Sequence, residues 1–502
     1  MLFNSPEFIF LFLPLTLLFF FLLGRKGYYQ GAIAFLVTAS LLFYAWWNPP
    51  YLALLIFSIF FNYTVGSALS KRLILSISPK LLLVLGIAVN LALIGYFKYA
   101  NFFVYNLSII LGKTFTINQI ILPLAISFFT FQQITYLVDA YRGETKDYSF
   151  SEYCLFVTFF PQLIAGPIVH HKEVMPQFAN KSIYRFNPEN LAVGVTIFAI
   201  GLIKKVLIAD TAALYATPVF NAAASGELLT FYDAWSGALF YTFQLYFDFS
   251  GYSEMAIGAA RMFGIKLPLN FNSPYKAVNI SDFWRRWHIT LSNFLRDYLY
   301  IPLGGNRKGE LRRNLNLIIT MLLRGLWHGA GWTFVLWGGL HGVYLCLNHQ
   351  WRSFRKFLGH DLKKSNWWSS TLSCFITFIA VVFGWVLFRA DNLDSASVIL
   401  QTMLGINGIS LSASVVESQK KLLIILLLFI WLIPNSQQWM EQYKPALNLP
   451  VVKTYSRWRS QLWKKLQWQP NQPFGLILGI VLFIVIKIIL TAPDSEFLYF
   501  NF

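Results

Sequence analysis

Apolar residues run almost unbroken over 8–24, 32–47 and 51–69, and each run meets a different stop. The first ends at Arg25-Lys26, the second at Asn48-Pro49-Pro50 and the third at Lys71-Arg72. Helices of roughly 17–25 apolar residues cross a bilayer, so this pattern predicts three crossings. Two basic ends separated by a neutral turn place the N-terminus outside, because positive loops stay in the cytoplasm. Trp46, Trp47 and Tyr51 then form an aromatic belt at the outer turn.

The later runs are less uniform. Residues 81–96 read as a plain fourth crossing. Residues 120–141 read as a longer one, interrupted at Pro123 and carrying Ser127, Thr130, Gln132, Gln133 and Asp139. Polar groups that deep need partners or a water-filled cavity. The stretch 153–171 contains Pro161, Gln162, Gly166 and Pro167, which predicts a re-entrant segment buried in protein. Further apolar runs cover 191–208, with Lys204-Lys205 near its end, and 234–249, with Gln244 and Asp248 inside it. Pro268, Asn270, Asn272 and Pro274 mark a loop.

Trp284, Trp287, His288, Leu291 and Leu295 recur at helical spacing, which predicts an interfacial or partly inserted helix with His288 on the same face as the two indoles, at the rim. Two apolar runs follow, 314–328 and 332–348. Arg307, Lys308, Arg312 and Arg313 precede the first, and Arg352, Arg355, Lys356, Lys363 and Lys364 follow the second. If both basic stretches are cytoplasmic, the runs form a hairpin with Trp327-His328-Gly329-Ala330-Gly331 at its apex. The first limb rises about 21 Å at 1.5 Å per residue, which stops His328 inside a hydrocarbon core about 30 Å thick. Crossings at 373–388, 422–433 and 474–490 and a basic, tryptophan-rich loop at 444–465 complete the pattern, and parity leaves the C-terminus outside.

Composition agrees with this pattern. Of 502 residues 56% are hydrophobic and 12% charged, against roughly 25% charged in soluble domains. The chain reads as a single integral membrane domain over 1–502, its length spent on crossings. Nucleic acid is excluded as a partner despite the net charge of +18, because Lys and Arg sit in short clusters between apolar runs. Cys154, Cys346 and Cys374 lie in or beside apolar runs and form no metal or disulfide framework. The N-terminus lacks the basic region and cleavage site of a signal peptide, so the first run is expected to be retained.

Chemistry concentrates in 280–342, which holds three of the seven histidines. A histidine at membrane depth either bridges helices for packing or serves function. Glycines at 329 and 331 and the bulk of Trp327 favour function for His328, and imidazole suits a general base near neutral pH. Arg324 lies four residues earlier on the same helical face, as a structural charge or as the holder of an anionic group. His288 serves either chemistry or interfacial anchoring, and His341 is a further candidate. His170, His171, His349 and His360 read as loop or interface residues. No metal is expected, since the histidines lack short ligand spacing. There is no Gly-x-Ser-x-Gly elbow and no phosphate-binding Gly-x-x-x-x-Gly-Lys.

These residues carry a resemblance. Trp327-His328-Gly329-Ala330, the run 282–290, Phe247-Asp248-Phe249-Ser250-Gly251-Tyr252-Ser253, Pro161-Gln162-Leu163-Ile164-Ala165-Gly166-Pro167 and Gly384-Trp385-Val386-Leu387-Phe388-Arg389-Ala390 resemble the signatures of membrane-bound O-acyltransferases. The likeness is greatest to the alginate O-acetyltransferase branch, and the teichoic acid D-alanyl transferases are more distant. It covers 1–395, and 410–502 carries nothing diagnostic.

The resemblance implies an all-α polytopic fold in the cell (inner) membrane, with about 10–13 transmembrane or re-entrant helices around a central tunnel. It implies catalytic roles for His328 and His288, and Arg324 falls where the branch has a small residue. Asp248, Trp284, Trp287, Trp327, His341 and Arg324 are the candidates for holding substrate. No cofactor is expected. The implied donor is an acyl thioester, acetyl-CoA or an acyl carrier protein, reaching the site from the cytoplasm. The implied acceptor is a hydroxyl of an exported polysaccharide or an extracytoplasmic partner acetyltransferase. Backbone amides near Gly329 and Gly331 are candidates for holding the oxyanion. The alternative from the residues alone is a transporter or flippase whose broken helices line a path, although two similar halves are not visible.

Overall fold

The computed structural model describes residues 1–71, 77–115, 117–145, 148–362, 366–409, 417–448, 467–492, 495 and 497–498. Arg72, Lys363, Lys364 and most of the basic 444–465 segment lie outside the described residues. Among the described residues every named element is helical, with one isolated bridge between Pro268 and Leu447, as the all-α expectation requires. Among the described residues, six helical stretches are long and apolar enough to cross a membrane: Phe8–Arg25, Pro50–Lys71, Pro79–Leu111, Pro188–Ala224, Trp367–Arg389 and Gln472–Thr491. The protein is a polytopic integral membrane protein.

In chain order the helices begin with α1 (Leu13–Arg25), α2 (Tyr29–Ala45), α3 (Pro50–Lys71), α4 (Pro79–Ile94) and α5 (Ala100–Leu111). Ser78 starts α4 by accepting from the Leu81 amide at 3.2 Å, ahead of a proline whose missing N–H costs nothing there. Next come α6 (Ile126–Tyr141), α7 (Phe150–Thr158), α8 (Phe160–Leu163), α9 (His171–Phe178), α10 (Pro188–Ile203) and α11 (Asp210–Ala224). The run 120–141 is therefore helical only from Ile126, past the break at Pro123, and the short α7 and α8 replace a plain crossing around Pro161 as expected.

Helix α12 (Phe231–Met262) extends well beyond the predicted end at 249. Its polar continuation is the reason: Ser250, Ser253 and Glu254 are buried within the helix. A capping box starts it, in which Thr230 Oγ1 accepts from the Asp233 amide at 3.1 Å and the Thr230 amide donates to Asp233 Oδ2 at 3.2 Å. After the loop come α13 (Ile280–Trp284), α14 (Ile289–Leu295), α15 (Gly309–His328), α16 (Trp332–Phe357) and α17 (Trp367–Arg389). The series ends with α18 (Leu393–Met403), α19 (Glu417–Leu432), α20 (Ser436–Trp439) and α21 (Gln472–Thr491).

The chain forms two compact units. The first comprises Met1–Ile203, Gly251–Leu269 and Trp439–Asn501. Several of its polar groups pair inside the apolar helices: Asn62 and Asn90 exchange amide hydrogen bonds at 3.1 and 2.6 Å, and Gln133 donates to Ser58 at 2.9 Å while accepting from Tyr153 at 3.2 Å. The rings of Phe3, Phe8, Phe43 and Phe160 pack around one another.

The second unit comprises Lys204–Ser250 and Asn270–Gln438. Its centre is the α15–α16 hairpin, joined through Gly329, Ala330 and Gly331 as the sequence predicts. Glycines let the two limbs touch backbone to backbone. A Cβ on Gly325 would strike the Phe334 carbonyl, and one on Gly338 the Met321 carbonyl.

Candidate active site

The site lies in the second unit and grows from two interrupted helices. Residues 284–295 are not the single interfacial helix expected from their spacing. The chain breaks at His288, whose φ of 43° and ψ of 57° are left-handed. Asn270 causes the break: its carbonyl accepts from the Ile289 amide at 3.0 Å, which in a continuous helix would serve Arg285. The Asn270 side chain also accepts from the Thr290 hydroxyl at 3.0 Å. His288 is thereby turned inward and is fully buried, not at a rim.

His328 is the last residue of α15, followed by extended backbone at Gly329. Its ring is met edge to face by Trp327 at 4.8 Å between centroids, Phe388 at 5.1 Å and Trp337 at 5.2 Å. Trp327 is shared, since the His288 ring lies 5.8 Å away from it. Phe249, on α12, also meets the His288 ring, edge to face at 4.8 Å. Two imidazoles thus meet one indole inside an aromatic box, where a neutral ring nitrogen can accept a proton.

The box continues to His341, which is also fully buried. Trp284 and Trp337 each stand 5.0 Å from its ring. A Cβ on Gly384 would lie 2.8 Å from its Nε2, so glycine leaves room for the ring. Trp337 stacks on Trp385 at 5.8 Å, and Trp385 meets Trp287 at 4.8 Å. Trp284, Trp287, Trp327, His288, His328 and His341 are brought together in the second unit.

Arg324 has a defined place here. Its guanidinium lies 3.7 Å from the centroid of the Trp284 indole and donates to Ser292 Oγ at 3.1 Å. A cation over the face of an indole is attracted by the ring quadrupole, more strongly when both are desolvated. Arg324 is 2% exposed, so this contact is dry and fixes the indole beside His341.

Asp248 is occupied by an ion pair. Lys205 Nζ donates to it at 2.9 Å and reaches Asp210 at the same distance. Lys205 emerges from a π-helical turn, Lys204–Ala209, of the kind that inserts one residue into a helix. Spacing gave no sign that a lysine in one apolar run neutralises an aspartate in another. The oxyanion expectation also narrows, because the Gly329 amide donates to the Gly325 carbonyl at 3.3 Å. The aromatic walls from α12 and α17, Phe249 and Phe388, had no local signal beyond the motifs that contain them.

Fold and site together define a helical integral membrane protein with buried histidines in an aromatic box at the head of a hairpin. The chain belongs to the membrane-bound O-acyltransferase family, whose profile matches residues 138–388, and it is an O-acyltransferase. It is 48% identical over 439 residues to a Helicobacter pylori protein named peptidoglycan O-acetyltransferase, covering 82% of this chain and 81% of the relative. It is 43% identical over 401 residues to a Pseudomonas aeruginosa protein named probable alginate O-acetylase, covering 79% of this chain and 73% of the relative. A teichoic acid D-alanyltransferase of Bacillus subtilis is 29% identical over 286 residues, or 54% of this chain and 69% of the relative. Transport without acyl chemistry, the other reading of the broken helices, is set aside by this membership.

Proposed function

We propose that the protein moves an acetyl group from a cytoplasmic thioester, acetyl-CoA or an acyl carrier protein, across the inner membrane. The acceptor is a hydroxyl of an exported polysaccharide or an extracytoplasmic partner acetyltransferase. The observation that carries this reading is the polarity of the hairpin. Arg307 and Lys308 precede α15, and Arg352, Arg355 and Lys356 lie at the end of α16, so the basic residues cluster at the end away from His328. A phosphate-bearing donor is attracted to that end. The names of the relatives, which act on peptidoglycan, alginate and teichoic acid, support a cell-envelope polymer as acceptor.

In this mechanism His328 takes the acceptor hydroxyl proton as the oxygen attacks the thioester carbonyl, and the thiolate leaves. No covalent enzyme intermediate is needed. His288 acts from its own contact with Trp327, and the positive end of α16, which begins four residues after His328, faces negative charge favourably. Arg324, Trp284, Trp287, Trp327 and His341 shape the space that receives the acyl group, and Asp248 acts through its ion pair with Lys205.

The test is transfer in proteoliposomes loaded with radiolabelled acetyl-CoA. His328→Ala is expected to lower transfer by about 10²–10⁴-fold, the usual contribution of a positioned general base. Transfer at the wild-type rate would remove His328 from the mechanism.

A further inference from the structure

A second polar cluster lies in the first unit. Asp139 near the end of α6 meets His170 and His171 at the start of α9. Asp139 Oδ2 is 3.0 Å from His171 Nε2 and 3.5 Å from His170 Nδ1. One donor atom from each of the three lies within 4.8 Å of the others. His171 and Asp139 are each 1% exposed, so the pair is no loop feature. The adjacent histidines show no ligand spacing in sequence because the third member stands far upstream on another helix.

We propose that Asp139, His170 and His171 form a three-ligand site for a first-row transition-metal dication, of which Zn²⁺ is the reference case. Nitrogen and carboxylate donors about 2.0–2.2 Å from a tetrahedral zinc are about 3.3 Å apart, and the two separations from Asp139 bracket that value. Two imidazoles with one carboxylate favour zinc or ferrous iron over magnesium or calcium, which prefer oxygen. His170 is 33% exposed, which gives the ion a path in and leaves the fourth position to water.

The surroundings orient the ligands. Tyr148 Oη is 3.1 Å from His171 Nδ1. Without metal, the ring can donate from Nε2 to Asp139 and accept from Tyr148. With metal, Nε2 offers its lone pair, and Nδ1–H donates to the phenol oxygen, as ligating histidines do toward their outer partners. The His170 amide donates to Glu173 Oε2 at 3.2 Å, which fixes the start of α9. Lys172 is the built-in competitor: its ammonium lies 3.6 Å from Asp139 Oδ2 but also pairs with Glu144. It is 43% exposed and can keep Glu144 while a metal takes Asp139.

The experiment uses the full chain, purified in detergent without a polyhistidine tag. Metal is measured by elemental analysis as purified, and again after Zn²⁺ loading and desalting. About one ion per chain is expected, with Co²⁺ giving the visible absorption of a tetrahedral site. His170→Ala is half-exposed and should remain monodisperse while retaining at least tenfold less zinc. Tyr148→Phe should weaken binding about 10–100-fold as an outer partner. Lys172→Met should tighten binding several-fold, whereas a cluster that is only an ion-pair network would bind no better and lose thermal stability. Wild-type protein that retains no more zinc than His170→Ala would overturn the proposal, and so would zinc retention indifferent to both His170 and Lys172.

Discussion

His288 occupies a backbone conformation that suits glycine better than any other residue. At φ 43° an L side chain costs roughly 1–2 kcal/mol relative to a right-handed conformation. The protein keeps an imidazole there nonetheless, against the Trp327 indole that also meets His328. The two roles of this residue separate experimentally. His288→Gly relieves the backbone and deletes the ring, while His288→Ala deletes the ring and keeps the strain. If the imidazole serves the reaction, both variants lose transfer to a similar extent. The glycine variant should nevertheless unfold at higher temperature, by about 1 kcal/mol of relieved strain. A glycine variant that transfers acetyl normally would reduce His288 to a packing residue. Nothing in the local sequence announces this conformation, because it is imposed by Asn270 from an earlier loop.

At the scale of elements, what was legible depended on whether the cause was local. The α15–α16 hairpin was readable because apolar runs, basic clusters and glycines all lie within it. The extent of α12 was not, since Ser250, Ser253 and Glu254 look like a helix end until tertiary burial is known. Likewise α5, from Ala100, follows a π-helical turn over Gly95–Tyr99 that a fixed helical period does not anticipate. In the site, His328, His288 and the tryptophans were legible as types crowded into one stretch. Phe249 and Phe388 were not, because only the packing of distant helices brings them to the imidazoles. The hairpin makes its own prediction. Gly338→Val places side-chain atoms against the Met321 carbonyl, which is backbone and cannot rotate away. Overpacking of this kind costs about 1–3 kcal/mol or more, so the variant should melt earlier and lose transfer together. Gly339→Ala, facing only the Leu322 side chain at 3.5 Å, is the control expected to leave both nearly unchanged. If the two variants melt alike, close approach at Gly338 does not hold the limbs together.

For the whole molecule the question is where the excess positive charge acts. Lys and Arg number 40 against 22 Asp and Glu, and part of that excess stands at the open end of the hairpin. Arg307, Lys308, Arg312, Arg352 and Lys356 are exposed there, while Glu310 offsets Arg313 from 3.7 Å. Helix α15 has 20 residues, so this basic end lies about 30 Å from His328 at 1.5 Å per residue. Charges at that distance cannot act on the acyl carbonyl through water, because the Debye length is about 8 Å at 0.15 M salt. On the proposed route, in which a donor's thioester reaches up toward the box, they act on its phosphates. The expected signature is a KM for acetyl-CoA that rises several-fold as salt increases from about 0.05 to 0.5 M, with kcat little changed. The acetyl thioester of pantetheine, which has no phosphates, should show almost no salt dependence. Arg352→Gln with Lys356→Gln should flatten the acetyl-CoA response toward that of the neutral donor. Equal salt slopes for the two donors would mean that the basic end recognises neither, and the cytoplasmic approach of the thioester would lose its physical support.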